Sequence, residues 1–223
     1  MSEPILEVRQ LNKSFGPVHV LHDVDLTVYR GEVTALVGDN GAGKSTLVKC
    51  VAGINSIDGG EVRFEGHPVA IHAPRDAARL GIEFVYQDLA LADNLDITQN
   101  MFLGREDNRF GFLSDGEMEQ KARATLAGLA VRTVSSVRQV VASLSGGQRQ
   151  TVAIAKAVLW ESKVVFLDEP TAALGVAQTQ QVLELVRRLV QTKDSSVSQI
   201  VELITSGRSG DLGLTPATAN EGI

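Results

Sequence analysis

A chain of 223 residues with 43% hydrophobic content is long enough for one large domain or two small ones around a real core. Its net charge of −6 argues against a partner held by a bulk basic field, so no nucleic acid is expected. Cys50 is the sole cysteine, which rules out an internal disulfide and suits a reducing compartment. No run of 18 apolar residues occurs and Met1-Ser2-Glu3-Pro4 is no basic and apolar leader, so the expectation is a chain neither exported nor membrane-spanning by itself.

Ile5 to Leu11 and Leu21 to Val28 are β-rich with partial alternation, and a turn around Gly16-Pro17 makes them an antiparallel pair. Glu32 to Val37 is an apolar run of strand length, suited to a strand covered on both faces. Lys44 to Val51 reads as a helix, Glu61 to Phe64 as a short strand and Gly81 to Tyr86 as another. Residues 88 to 143 carry little strand signal and helix-like stretches such as Gly116 to Leu129, which reads as a helical insertion. Helix returns at Gly147 to Leu159, strand at Lys163 to Leu167 and helix at Val176 to Val190, where Val182, Leu185, Val186 and Leu189 share one face. Val197, Ile200, Val201 and Ile204 repeat that spacing and predict a short last helix; from Gly207 the composition predicts a loose tail.

Three motifs carry chemistry. In Gly38-Asp39-Asn40-Gly41-Ala42-Gly43-Lys44-Ser45-Thr46 the glycines allow the backbone to approach phosphate oxygens without a Cβ in the way, and the loop opens into a helix N-terminus. Lys44 can reach the β- and γ-phosphates and the Ser45 hydroxyl can ligate Mg²⁺. In Val164-Val165-Phe166-Leu167-Asp168-Glu169-Pro170 an apolar strand breaks into two carboxylates. At the carboxyl end of a parallel strand these would face the ligand crevice, Asp168 serving Mg²⁺ and Glu169 the attacking water. Leu144-Ser145-Gly146-Gly147-Gln148 offers a hydroxyl and amides at the start of a helix, a second anion site.

These residues resemble the phosphate loop, acidic strand and signature loop of the ATP-binding cassette (ABC) ATPases, over roughly residues 3 to 190. The resemblance implies an α/β fold: a P-loop NTPase (RecA-like) core with an N-terminal antiparallel β subdomain and an inserted helical subdomain. Residues 1–87 and 146–206 would form the core with its β subdomain, 88–145 the helical subdomain and 207–223 a flexible tail. It further implies a head-to-tail homodimer in which ATP and Mg²⁺ lie between the phosphate loop of one cassette and Ser145, Gly146, Gly147 and Gln148 of the other. Phe15 matches the aromatic that stacks on adenine, and Gln87 the glutamine that senses Mg²⁺ and attacking water and links to the transport partner. Phe102-Leu103-Gly104-Arg105-Glu106, Gly38-Asp39-Asn40-Gly41 and Leu174-Gly175, where relatives more often have aspartate at the Gly175 position, resemble the ATPases of bacterial monosaccharide importers. That implies a membrane permease and a sugar-binding protein as partners, and a cytoplasmic place on the inner face of the membrane. Soluble ABC ATPases of DNA repair or translation need longer insertions or tandem cassettes.

One expected residue is absent. The family's switch histidine ends the strand after the helix that follows the acidic pair, whereas His19, His22, His67 and His72 all lie far upstream. The segment after helix 176–190 resembles the extreme C-terminus of sugar-importer ATPases, so a unit of about 30 residues looks removed near Val190 and Gln191. The sheet is then expected to lack one central strand, leaving either a slot or a displaced Asp168. A hydrolysis-impaired nucleotide-binding or assembly protein is the alternative function.

Overall fold

The computed structural model describes residues 3–204 except 40, 87, 110, 130–133, 161, 169–173 and 192–199. Strands β1 (Pro4–Phe15) and β2 (Val18–Tyr29) pair antiparallel through the turn at Gly16-Pro17, Gly16 having φ +57°. β4 (Gly59–Phe64) and β5 (His67–Val69) extend this sheet in the order β2-β1-β4-β5. Gly60, at φ +87°, allows β4 to cross β1, since a Cβ there would sit 2.3 Å from the Gln10 carbonyl oxygen.

The second sheet is parallel, in the order β3-β10-β9-β6, with β3 Val33–Val37, β6 Ile82–Val85, β9 Val164–Asp168 and β10 Ile200–Ile204. Helix α1 (Lys44–Val51) follows β3, and α2 (Pro74–Arg79) precedes β6. Between β6 and β9 come α3 (Ile97–Phe102), a two-residue-per-strand hairpin of β7 (Asn108–Arg109) and β8 (Phe112–Leu113), α4 (Asp115–Gly128), a 3-10 turn at Val141–Ser143 and α5 (Gly146–Leu159). α6 (Val176–Gln191) connects β9 to β10.

The structure departs from the sequence expectation at β10 and at β3. Among the described residues the parallel sheet has no vacant position: β10 lies between β3 and β9, with Ile200 opposite Val33 and Val165, and Leu203 opposite Leu36 and Asp168. The segment expected as a last helix is therefore a strand. Its apolar residues fit either period over so short a run, and the strand form gives partners to backbone donors and acceptors of β3 and β9 that would otherwise be orphaned, each at a cost of about 1–3 kcal/mol. Neither a slot nor a displaced Asp168 results. The central position expected to be empty is filled by β10, which follows the expected helix α6. β3, expected to be covered on both faces, is not: Ala35 is exposed and Val37 is 44% exposed. Among the described residues β3 is the edge of its sheet, which accounts for that exposure.

Two apolar cores lie on opposite faces of the parallel sheet. Leu47, Val48, Cys50 and Val51 of α1 pack with the inner face of the antiparallel sheet and with Val164 and Phe166 of β9. Met101, Met118, Ile154, Val182 and Leu185 gather α3 to α6 against Val165 and Leu167. The face expected for α6 is the one buried, at Val182, Leu185 and Val186. Cys50 is buried among apolar neighbours, which raises its thiol pKa and fits a structural residue.

Candidate nucleotide site

Parallel strands bring their carboxyl ends to one edge of the sheet, and there the candidate residues collect. β3 delivers Gly38 and Asp39, β9 ends at Asp168, and the tip of β10 separates them. Leu36 and Asp168 share Leu203 as register partner, so Asp168 stands two strand spacings, about 9.6 Å, from β3.

The phosphate loop needs its glycines for stated reasons. Gly43 caps α1 in the left-handed region at φ +88°, and a Cβ there would lie 2.8 Å from Leu21 Cδ2 and 3.2 Å from the Val20 carbonyl oxygen. Gly41 also has φ +88°, with open space where a side chain would be. The turn is tied by Ala42 N donating to the Asp39 carbonyl oxygen at 3.2 Å. Lys44, 8% exposed, folds back over the loop, its Nζ donating to the carbonyl oxygens of Gly38 at 2.6 Å and Asp39 at 2.7 Å. These bonds hold a buried ammonium beside the helix N-terminus, where an anion could replace the carbonyls as its partner. Ser45 and Thr46 follow in the first turn of α1.

At the second motif Ser145 caps α5: its Oγ accepts from Gln148 N at 3.3 Å while Gln148 Oε1 accepts from Ser145 N at 2.8 Å. The glycines here serve packing as well as access. A Cβ on Gly147 would lie 3.1 Å from Gln178 Cγ of α6, and one on Gly146 would lie 3.4 Å from Leu174 Cδ2. Gln178 Oε1 also accepts from Gly175 N at 3.2 Å, so Gln178 joins Gly175 to the start of α5. Arg149, which sequence reasoning missed, clamps the motif from behind. Its Nη1 meets Asp93 Oδ1 at 2.7 Å, and its Nε and Nη2 donate to the carbonyl oxygens of Leu144 and Ala142. Nothing in the sequence pairs residues 93 and 149, which are 56 positions apart.

Phe15 ends β1 and is 47% exposed, opposite Val18 in register. Val20 and Leu21, a few residues along β2, form the wall against Gly43, so the aromatic and the phosphate loop share a neighbourhood. Tyr86, just before position 87, is half-buried; burial raises its phenol pKa, with the negative charge of Asp168 a further cause. Asn40, Gln87 and Glu169 lie outside the described residues. Among the described residues no cluster of three or more His, Cys, Asp or Glu could hold a metal. One hydroxyl and one carboxylate, Ser45 and Asp168, match the few protein ligands of a Mg²⁺ that keeps waters and phosphate oxygens.

A glycine-rich phosphate loop leaving a parallel strand, a carboxylate ending the next strand but one and a capped glycine loop define a P-loop nucleotide-binding protein. The chain belongs to the ABC transporter family, whose model matches residues 21–172. ABC ATPases bind and hydrolyse ATP. The fructose import ATP-binding protein of Rhizobium meliloti is 48% identical over 191 residues, 82% of this chain and 74% of that protein. The xylose/arabinose import ATP-binding protein of Sulfolobus acidocaldarius is 47% identical over 83% of this chain and 73% of its own length. A ribose import ATP-binding protein of Yersinia pestis is 42% identical over 83% of this chain, which spans only 36% of that longer relative. Among solved structures, a subunit of an ABC transporter complex from Clostridium perfringens superposes with TM-score 0.75 at 28% identity, covering 92% of this chain and 79% of that one. A nucleotide-free ATP-binding cassette gives TM-score 0.77 at 23% identity, covering 90% and 81%, which supports the fold.

Proposed function

We propose that this chain is the ATP-binding and hydrolysing subunit that energises a carbohydrate importer, working as a head-to-tail pair of cassettes beneath a membrane permease served by a sugar-binding protein. The observation that carries the reading is the Gly38–Ser45 loop, whose two left-handed glycines and buried Lys44 make a ready anion cradle at the start of α1. The sugar assignment rests on the fructose, xylose/arabinose and ribose import relatives. No helix among the described residues is long and apolar enough to cross a membrane. In this reading the chain sits on the membrane's inner face against the permease.

In this site Phe15 would stack on the base, and Gly38, Asp39, Asn40, Gly41, Ala42, Gly43, Lys44 and Thr46 would surround the phosphates. Ser45, Asp168 and Gln87 would hold Mg²⁺, whose chemistry is to neutralise charge developing on the phosphate oxygens. Glu169 would take the proton of the attacking water, and Ser145, Gly146, Gly147 and Gln148 would close on the phosphates of the second cassette. Replacing Glu169 by Gln should lower phosphate release by about 10²–10⁴-fold while ATP still binds. Unchanged turnover in Glu169→Gln would remove Glu169 from the mechanism.

A second reading is a cassette that binds nucleotide and turns it over poorly. It is favoured by the sequence after β10, where Thr205-Ser206-Gly207 follows Ile204 and no histidine occurs beyond His72. A Ser206→His variant whose phosphate release rises well above that of the parent supports this reading; equal rates count against it.

A further inference from the structure

The end of β1 is held from a distance. Lys13 is almost covered, its side chain 9% exposed, and its Nζ lies 5.4 Å from the centroid of the Phe15 ring. The same Nζ donates to Asp58 Oδ1 at 2.9 Å and Ser56 Oγ at 3.3 Å. The other carboxylate oxygen of Asp58 accepts from the backbone N of Ser14 at 2.6 Å, and Asp58 N donates to the Asn12 carbonyl oxygen at 2.9 Å. One aspartate thus fixes the backbone on both sides of Lys13 and the ammonium that sits against the aromatic ring.

Asp58 follows the phosphate loop along the chain, by way of α1. That loop runs straight into α1, and the chain leaving α1 is pinned where Ile54 N and Asn55 N both donate to the Lys49 carbonyl oxygen. Gly53 passes so close to Ala73 that a Cβ would lie 2.7 Å from its carbonyl carbon, which fixes the segment leading to Asp58. The chain from the phosphate loop through α1 to Asp58 is thus constrained where it leaves the helix.

We propose that Asp58, acting through Lys13 and Ser14, is a positioning residue that sets Phe15 in register with the phosphate loop, so that a purine nucleoside triphosphate engages the ring with its base and the loop with its phosphates at once. This rests on the reading of Phe15 as the base platform. The ammonium occupies one face of the ring as a cation–π partner and leaves the other for the flat base. Fixing the platform in advance removes an ordering cost that the ligand would otherwise bear. The contribution appears only with ligands that carry a base.

The test is titration of the full chain with Mg-ATP and with Mg-tripolyphosphate, which has the phosphates and no base. Asp58→Ala and Lys13→Met should each weaken ATP binding three- to tenfold and leave tripolyphosphate binding unchanged. Phe15→Ala should do the same, and adding Asp58→Ala to Phe15→Ala should cause no further loss, since the two act as a unit. Where Asp58→Ala folds poorly, Asp58→Asn carries the same expectations. Equal weakening of both ligands, or additive losses in the double variant, overturns the proposal. A loss with Phe15→Ala and none with Asp58→Ala overturns it while the platform stands; no loss with Phe15→Ala removes the platform itself.

Discussion

Gly43 shows how a single missing methyl group shapes the site. Alanine there must hold φ +88°, a cost of about 1–3 kcal/mol for a residue with a Cβ, and must also press on Leu21 and on the Val20 carbonyl oxygen. Gly43→Ala is therefore expected to lower the melting temperature modestly and ATP affinity at least tenfold; calorimetric binding at wild-type strength would contradict the cradle. Asp58 makes a prediction about pH. Its carboxylate is held below the ordinary value first by the Ser14 backbone N–H and then by Lys13. With the folded form the more acidic, its stabilising contribution is complete above the unfolded value of about 3.9 and disappears as pH falls through the depressed folded value. The melting-temperature gap between the parent and Asp58→Asn should stay constant from pH 8 to pH 5 and close below pH 4. A gap that stays fully open as the pH is taken well below 4 would show that the charge of the Asp58 carboxylate is not what stabilises the fold.

β10 carries a prediction for hydrogen exchange. As the strand between β3 and β9, its amides at 201–204 should exchange as slowly as those of β9, because exposing them requires opening the parallel sheet. Exchange about a thousandfold faster would show that the segment is a fraying short helix instead. That segment also marks the limit of what the sequence can carry: Ile200, Val201 and Ile204 satisfy a helical spacing and a strand alike, and only the free backbone of β3 and β9 decides between them. The longer runs were legible because pattern and punctuation agreed: α1 begins at Lys44 after the glycine loop, and β1 and β2 turn at Gly16-Pro17 as expected. The β7–β8 hairpin was not, being two residues per strand, and neither was α3, whose cap is the reciprocal Asp96 and Gln99 pair. Of the site, the contiguous loops could be read from residue order. Asp58 with Lys13 and Arg149 with Asp93 could not, because each pair joins positions more than forty residues apart through the tertiary fold.

The two cores are coupled through β9, which gives alternate residues to each: Val164 and Phe166 to the core under α1, Val165 and Leu167 to the core of helices α3 to α6. Phe166 is 1% exposed and stacks on Phe84 with centroids 4.9 Å apart. Truncating it to alanine should cost about 3–5 kcal/mol, a large fraction of the roughly 5–15 kcal/mol that holds a domain together. The single tryptophan, Trp160, reports from the other side of the sheet, edge-on to Phe102 with its Nε1 donating to the Met101 carbonyl oxygen at 3.3 Å. If the sheet transmits the loss, Phe166→Ala should shift the urea midpoint of Trp160 fluorescence by the same amount as the midpoint of far-ultraviolet circular dichroism, although residue 166 faces the opposite core. Fluorescence that holds its parental midpoint while the dichroism moves would mean that the helical part unfolds as its own unit. Arg149 and Asp93 would then join the signature loop to the segment after position 87 within that unit, without the support of the sheet beneath it.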